Sequence, residues 1–289
     1  MIDARTRPVG LLGWPVEHSR SPLIHNAAFA SQGLPFCYVA LAVEPEHIGA
    51  AVAGLRALGF AGSNVTVPHK EAVIPHLDVL SEAATAIGAV NTIVCWPDGS
   101  MYGDNTDAAG FLAPLLPQEH DLMGSEMVIF GAGGAARAAV YGLLTTFEPS
   151  RLTLAVRTPA RAEALARDLA PHDAASALDV VPITEAGPAV ASSRLLVNAT
   201  SVGMTPHDTQ SVWTTFEAHH LAYDLVYTPR RTRFLQLAEA AGAAIQSGLD
   251  MFVGQAAAAY VQWTGQTMPL DVVRRVLDGG VDASSDAEK

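Results

Sequence analysis

The stretch Met127-Val128-Ile129-Phe130-Gly131-Ala132-Gly133-Gly134-Ala135-Ala136-Arg137, running into an Ala-rich segment that ends near Thr146, decides how the chain folds. An apolar run, a glycine-rich turn and a helix-forming run follow one another as strand, loop and helix do in a wound parallel sheet. Each small residue has a physical use. Gly131 permits the tight turn, Gly133 lets backbone N–H groups approach a pyrophosphate at the positive end of the helix, and Ala136 keeps that helix close to the strand. The spacing Gly131-x-Gly133-x-x-Ala136 predicts a nucleotide site lined by Gly131, Ala132, Gly133, Gly134 and Ala135. A mere tight turn is the bland alternative, and the flanking strand and helix favour the site.

Working outward, the chain continues with predicted strands at Leu152 to Val156, Val180 to Ile183, Leu195 to Ala199 and Leu221 to Tyr227, with helices at Pro159 to Leu169 and Arg231 to Ala241. This reads as a wound domain of five or more strands. The end of its second strand selects the nucleotide. An NAD site places an acidic residue there for the ribose 2′-OH, whereas a 2′-phosphate needs positive charge. Here the sequence is Val156-Arg157-Thr158-Pro159-Ala160-Arg161, with no carboxylate at the tip. Arg157 can fork onto a phosphate while Thr158 and Arg161 add donors, so the cofactor expected is NADP.

Upstream, Pro8 to Gly13, Phe36 to Val43, Ser63 to Val67 and Ala89 to Trp96 read as strands, with helices at Pro22 to Gln32 and Pro45 to Leu58 and one or two helices over Lys70 to Ile87. Downstream, the chain turns through Gly248 into helices near Asp250 to Thr264 and Pro269 to Leu277, and the small, polar tail 279–289 is expected to be disordered.

Charge and composition exclude several classes. A formal charge of −12 argues against a nucleic-acid partner, which would require clustered Lys and Arg. Two cysteines cannot build a disulfide framework, the N-terminal apolar stretch Val9 to Trp14 is too short for a signal peptide, and no apolar run is long enough for a membrane span. A soluble, cytoplasmic protein is expected. The histidines show no H-E-x-x-H or other ligand spacing, so no metal is expected. Of the 17 basic residues only two are lysines, Lys70 and the C-terminal Lys289.

That internal lysine lies in Asn64-Val65-Thr66-Val67-Pro68-His69-Lys70, after a strand, where side chains of wound folds project into a crevice. Asp107 follows Asp104-Asn105-Thr106 at a second strand-to-helix boundary. A helix-start lysine and a helix cap are the bland readings. The neighbouring Asn64, Thr66, Asn91, Thr92, Ser19 and Ser21 are neutral hydrogen-bonding groups at strand ends, a set suited to a polyhydroxylated substrate.

Taken in order, Gly13-x-Pro15-x-x-His18-Ser19-x-Ser21-Pro22-x-x-His25-Asn26, Asn64 to Lys70, Gly88-Ala89-Val90-Asn91-Thr92, Gly103 to Asp107, Gly131 to Arg137, Asn198-Ala199-Thr200-Ser201-Val202-Gly203-Met204 and Gly248 to Gln255 resemble the shikimate dehydrogenase family over about residues 8–278. The resemblance implies an α/β chain. An N-terminal α/β substrate domain would cover 1–106, completed by C-terminal helices of 249–278, and a Rossmann-type doubly wound parallel-sheet domain would cover 107–248. It implies NADPH-dependent reduction of 3-dehydroshikimate to shikimate in aromatic amino acid and chorismate biosynthesis, with monomer and homodimer both open. Lys70 and Asp107 would be the catalytic pair, Ser19 and Ser21 would bind the substrate carboxylate, and Asn64, Thr66, Asn91, Tyr227 and Gln255 would complete the substrate site. Gly131 to Ala135, Val156, Arg157, Thr158, Arg161, Leu225 and Gly248 would line the cofactor site, with Thr200, Val202 and Glu82 as further candidates.

Two departures from the family pattern stand out. Val156 replaces an Asn often found before Arg-Thr, which removes one adenosine-side hydrogen bond. His69 replaces an aromatic residue before the lysine, and packing is expected there rather than titration. The competing readings are a quinate/shikimate dehydrogenase using NAD and, in another class, a non-catalytic nucleotide-sensing module.

Overall fold

The structure, a computed structural model, describes residues 2–175, 177–204 and 210–285. It divides into two compact units, Met1–Thr106 with Ala256–Lys289, and Asp107–Gln255. In the first unit β1 (Arg7–Gly13), α1 (Ser21–Ser31), β2 (Phe36–Ala42), α2 (Ile48–Ala57), β3 (Gly62–Val65), β4 (Val79–Leu80), α3 (Glu82–Ile87), β5 (Thr92–Cys95) and β6 (Met101–Asp104) form a sheet of order β2-β1-β3-β5-β6-β4. β1 pairs in parallel with β2 and β3, while β5 is antiparallel to both its neighbours. Leu12, Val52, Leu55, Val65, Val73, Ile93 and Met101 fill the core against α2.

The helix expected over Lys70 to Ile87 is largely absent. A turn carries Lys70, a short 3-10 turn follows at Ile74–His76, β4 pairs with β6, and only Glu82–Ile87 is α-helical. Pro75 lacks the N–H that a helix through this region would need, whereas Ser81 starts α3 by accepting a hydrogen bond from the Ala84 N–H at 2.9 Å.

In the second unit α4 (Thr106–Leu112, beginning at the boundary), α5 (Glu119–Leu122), β7 (Glu126–Phe130), α6 (Gly134–Thr146), β8 (Arg151–Val156), α7 (Pro159–Leu169), β9 (Leu178–Pro182), α8 (Gly187–Ser192), β10 (Leu195–Asn198), β11 (Leu221–Asp224), α9 (Arg233–Ala240) and β12 (Ala244–Ser247) follow in order. Every strand pair is parallel and the order is β12-β11-β10-β7-β8-β9. β10 and β11 are buried along their whole length, so neither alternates apolar with exposed polar residues, and each closes on one buried polar residue, Asn198 and Asp224. From β7 the chain winds one way through β8 and β9, then crosses to β10 and winds the other way. The switch between β7 and β10 opens the crevice that ligands use in such sheets.

α10 (Gly248–Thr264) and α11 (Leu270–Ser285) end the described chain. The last helix therefore runs through Gly279, where the sequence suggested a tail. Interior glycine costs a helix about 1 kcal/mol relative to alanine but does not forbid it. Residues 286–289 lie outside the described residues. In the first unit Trp263 of α10 donates its indole N–H to the Ile93 carbonyl at 2.9 Å, directly over Gly62. A Cβ on Gly62 would collide with that carbonyl and with the indole nitrogen. Gly62→Ala is expected to destabilise the protein by about 2 kcal/mol, read by denaturant unfolding, and an unchanged midpoint would show the contact is dispensable.

Asp224 ends β11 with no exposure to solvent. It accepts hydrogen bonds from Asn198 Nδ2 at 2.9 Å, from the Val226 N–H at 3.0 Å and from the Thr232 hydroxyl at 2.5 Å. Burial pushes its pKa up to about 6 against the lowering effect of those three donors. A carboxyl group that holds its proton more tightly when folded favours folding fully below about pH 4, and that contribution is lost as pH rises through about 6. Asp224→Asn keeps the shape and cannot titrate. Between pH 5 and pH 8 its stability relative to wild type should improve by on the order of 2 kcal/mol, about 4 °C in Tm. A difference independent of pH in thermal melts would contradict this assignment.

Candidate functional site

In the first unit the predicted groups collect at the ends of β1, β3 and β5. Ser19 and Ser21 lie at the start of α1, where the Ser21 N–H donates to Ser19 Oγ at 3.2 Å and fixes the turn. Thr66 follows β3 and is tied to β1 by its N–H, which donates to the Leu12 carbonyl at 2.8 Å. Asn64 is buried: its Nδ2 donates to the Asn91 carbonyl at 3.0 Å and to Thr92 Oγ1 at 3.1 Å, and its Oδ1 accepts from the Tyr38 hydroxyl at 2.8 Å. Asn91 Oδ1 in turn accepts from the Thr106 N–H at 2.7 Å, from Thr106 Oγ1 at 3.1 Å and from Thr92 Oγ1 at 3.0 Å. The result is a continuous amide and hydroxyl network.

Lys70 joins this network through its backbone, since its carbonyl accepts the Val90 N–H at 2.8 Å, one residue before Asn91. His69 is buried, and its Nε2 lies 2.7 Å from the Val43 carbonyl. A carbonyl only accepts, so Nε2 carries the proton and the ring braces the turn that presents Lys70. That agrees with a packed histidine, although the segment after it is a turn and not a helix. Glu82 is exposed in the first turn of α3. Tyr38 was not among the predicted site residues. Its one signal is a phenol within an otherwise apolar strand, which does not say where the hydroxyl goes.

In the second unit Asp107 stands in the first turn of α4. Gly131 adopts φ +113°, a left-handed-side conformation that side chains resist, and a Cβ there would lie 3.0 Å from the Ala199 carbonyl oxygen and 3.1 Å from Thr200 Cγ2. The loop after β7 and the loop after β10 thus meet across the switch. A Cβ on Gly133 or Gly134 would meet nothing within 4 Å, so the glycine loop has an open face. The first α6 hydrogen bond of this turn runs from the Arg137 N–H to the Gly133 carbonyl at 2.9 Å, so the N–H groups of Gly134, Ala135 and Ala136 have no acceptor one turn back. An open face with unsatisfied donors at the positive end of a 13-residue helix fits a pyrophosphate.

Val156 ends β8, and Arg157, Thr158 and Arg161 are exposed just beyond it. Arg137, Arg151, Arg194 and Arg231 each pair with a carboxylate, whereas Arg157 and Arg161 have no ion pair among the described residues. Positive charge left uncommitted at this strand end suits a 2′-phosphate. The Thr200 hydroxyl donates to Asn198 Oδ1 at 2.7 Å and accepts from the Val202 N–H at 3.1 Å, and the Leu225 N–H donates to the Asn198 carbonyl at 3.0 Å. Asn198, bonded also to Asp224, therefore organises both loops on this side of the crevice; neither residue was singled out from the sequence for a role. A Cβ on Gly248 would strike the Leu225 carbonyl, so the start of α10 lies directly against that loop. Tyr227 stacks on Phe252 at 5.1 Å and 18°, and Gln255 follows one turn along α10, its Nε2 donating to the Phe252 carbonyl at 2.8 Å.

Among the described residues no helix is long and apolar enough to cross a membrane. A possible metal group among them is confined to the exposed Glu44, Glu46 and His47, away from every predicted site residue in sequence.

Known proteins resemble this chain along nearly its whole length. Residues 11–93 match the shikimate dehydrogenase substrate binding domain, and residues 248–277 match the shikimate 5′-dehydrogenase C-terminal domain. The chain is 57% identical to the shikimate dehydrogenase (NADP(+)) of Salinibacter ruber over 96% of this chain and 98% of the relative. It is 47% identical to that of Moorella thermoacetica, covering 98% and 97%. A crystal structure of shikimate 5-dehydrogenase from Thermus thermophilus in complex with NADP(H) and shikimate superposes with a TM-score of 0.79 at 37% identity, covering 94% of this chain and all of that one. With likeness of this extent along nearly its whole length, the chain belongs to the shikimate dehydrogenase family.

Proposed function

We propose that this chain catalyses the reversible, NADPH-dependent reduction of 3-dehydroshikimate to shikimate, a step of aromatic amino acid biosynthesis. The observation that carries the proposal is the 57% identity, over 96% of the chain, with a shikimate dehydrogenase (NADP(+)). Two free cysteines and the acidic surface are consistent with a cytoplasmic enzyme acting on a small molecule.

When bound, the cofactor supplies the hydride. As the substrate carbonyl becomes an alkoxide, it needs a proton and a nearby positive charge. Lys70 provides both, since its ammonium can give up a proton where a guanidinium cannot. Asp107 supplies a carboxylate that orients a substrate hydroxyl. Ser19 and Ser21 donate to the substrate carboxylate, while Asn64, Thr66, Asn91, Tyr227 and Gln255 take its remaining polar groups. Gly131, Ala132, Gly133, Gly134 and Ala135 hold the pyrophosphate, Arg157, Thr158 and Arg161 the 2′-phosphate, and Val156, Thr200, Leu225 and Gly248 the adjoining faces. Glu82, at the positive end of α3, suits the helix dipole as well as it suits a cofactor contact.

The deciding assay follows NADPH absorbance with shikimate and NADP+, beside quinate and NAD+ in parallel. Efficient turnover of shikimate with NADP+ is expected, and a preference for quinate with NAD+ would overturn the assignment. Lys70→Ala should lower kcat by about 10²- to 10⁴-fold, the range for loss of a proton-transfer group. Lys70→Arg, which keeps the charge, should be nearly as impaired; unchanged kcat in either variant would remove Lys70 from the chemistry. Arg157→Ala should raise KM for NADP+ by roughly 10- to 100-fold, as expected for a charge-assisted hydrogen bond, and leave KM for NAD+ almost unchanged. Equal effects on both cofactors would show that Arg157 does not read the phosphate.

A further inference from the structure

The motif Ser21-Pro22-x-x-His25-Asn26 contains two residues that the proposed chemistry does not use, His25 and Asn26. Both converge on Tyr38. Asn26 holds the Tyr38 backbone at two points: its Nδ2 donates to the Tyr38 carbonyl at 2.8 Å, and its Oδ1 accepts the Tyr38 N–H at 2.8 Å. His25 lies parallel to the Tyr38 ring at 4.5 Å and 4°, fully buried, with neither ring nitrogen hydrogen-bonded among the described residues. Burial holds its pKa down to about 3, so it stacks as a neutral ring. The Trp263 ring, tilted by 59° to His25 with ring centroids 5.3 Å apart, closes the cluster. Tyr38 is therefore fixed by its backbone and by one face, and its single O–H is directed at Asn64 Oδ1, 2.8 Å away.

The capacity of the Asn64 amide can be counted. Its two N–H donors are given to the Asn91 carbonyl and to Thr92 Oγ1, and one of the two Oδ1 lone pairs is taken by Tyr38. One acceptor position is left. We propose that Tyr38 is a positioning residue for the substrate, locking the Asn64 amide so that its only uncommitted capacity is one acceptor site, which takes the O–H of a substrate ring hydroxyl. The inference rests on the shikimate reading given above. Burial also raises the Tyr38 phenol far above its ordinary value, so it stays a donor at every working pH.

The test is Tyr38→Phe, which removes the hydroxyl and keeps the ring under His25. With wild-type enzyme turning over shikimate, the variant should show a KM for shikimate raised about 5- to 10-fold, kcat within about twofold, and an unchanged KM for NADP+. Shikimate analogues lacking the 4- or the 5-hydroxyl supply a readout that general loosening would not move. For the analogue without the hydroxyl that Asn64 accepts, wild type and variant should have the same KM. A variant with lowered Tm but unchanged KM for shikimate would overturn the proposal, as would a KM penalty of equal size for shikimate and both analogues. Wild-type enzyme inactive on shikimate would instead defeat the functional reading, and this proposal with it.

Discussion

Asn64 and Asn198, one in each unit, are buried asparagines at the ends of strands, and an amide removed from water must have its donors and acceptor satisfied. That requirement shapes the loops around them. Asn198 bonds the Thr200 hydroxyl and backbone, the Val202 carbonyl and Asp224, so the turns after β10 and β11 have one arrangement that leaves nothing unpaired. Asn64 does the same between β2, β3 and β5. An aspartate, leucine or alanine at either position would leave several groups unsatisfied at once, which is why the networks hold the loops rigidly rather than merely joining them.

The electrostatics follow a similar division between scaffold and site. With a net charge of −12 the whole molecule repels an anionic substrate and a phosphate-bearing cofactor, an effect screened beyond about 8 Å at physiological salt. Attraction has to come from nearby groups. In the second unit Arg137, Arg151, Arg194 and Arg231 are spent on ion pairs such as Arg151 with Asp179 at 2.7 Å, which contribute little to stability. Arg157 and Arg161 are kept out of such pairs, and the sole internal lysine stands in a turn anchored by the Val90 hydrogen bond. Positive charge is thus scarce, and under the proposed function Lys70, Arg157 and Arg161 are the groups that meet the substrate and the cofactor phosphate.

The wound sheet was legible because its signals are local and redundant: apolar runs of strand length, a glycine loop whose spacing has a steric cause, and prolines at helix starts. Elements of low information were not legible. β4 is two residues long and β12 begins with Ala244, so neither carries a β-branched run, and each exists because a neighbour supplies its hydrogen bonds. The same holds for Lys70 to Ile87, where apolar spacing suggested helix and pairing with β6 prevailed. Within the site, Ser19, Ser21, Asn64, Thr66, Lys70, Asn91 and Asp107 were named from their chemistry, whereas Tyr227 and Gln255 were named only from the family resemblance. Tyr38 and Asp224 were missed because their roles depend on partners 26 residues away in each case, Asn64 and Asn198. A phenol or a carboxyl group does not announce such a partner in one dimension.

Distance in sequence also explains why a motif can be read correctly in place and incompletely in role. Ser21, His25 and Asn26 share one helix, and a reading by residue type assigns the serine to a ligand while leaving the histidine and asparagine without a use. Stacking and backbone clamping turn those two into supports for a third residue, whose hydroxyl then limits what a fourth can accept. A site built this way discriminates by what it leaves unpaired. An analogue lacking the matching hydroxyl strands a buried acceptor, a penalty much steeper than the loss of an apolar contact. Selectivity among closely related hydroxylated rings can therefore come from a residue that need not touch the substrate, provided its own position admits no alternative.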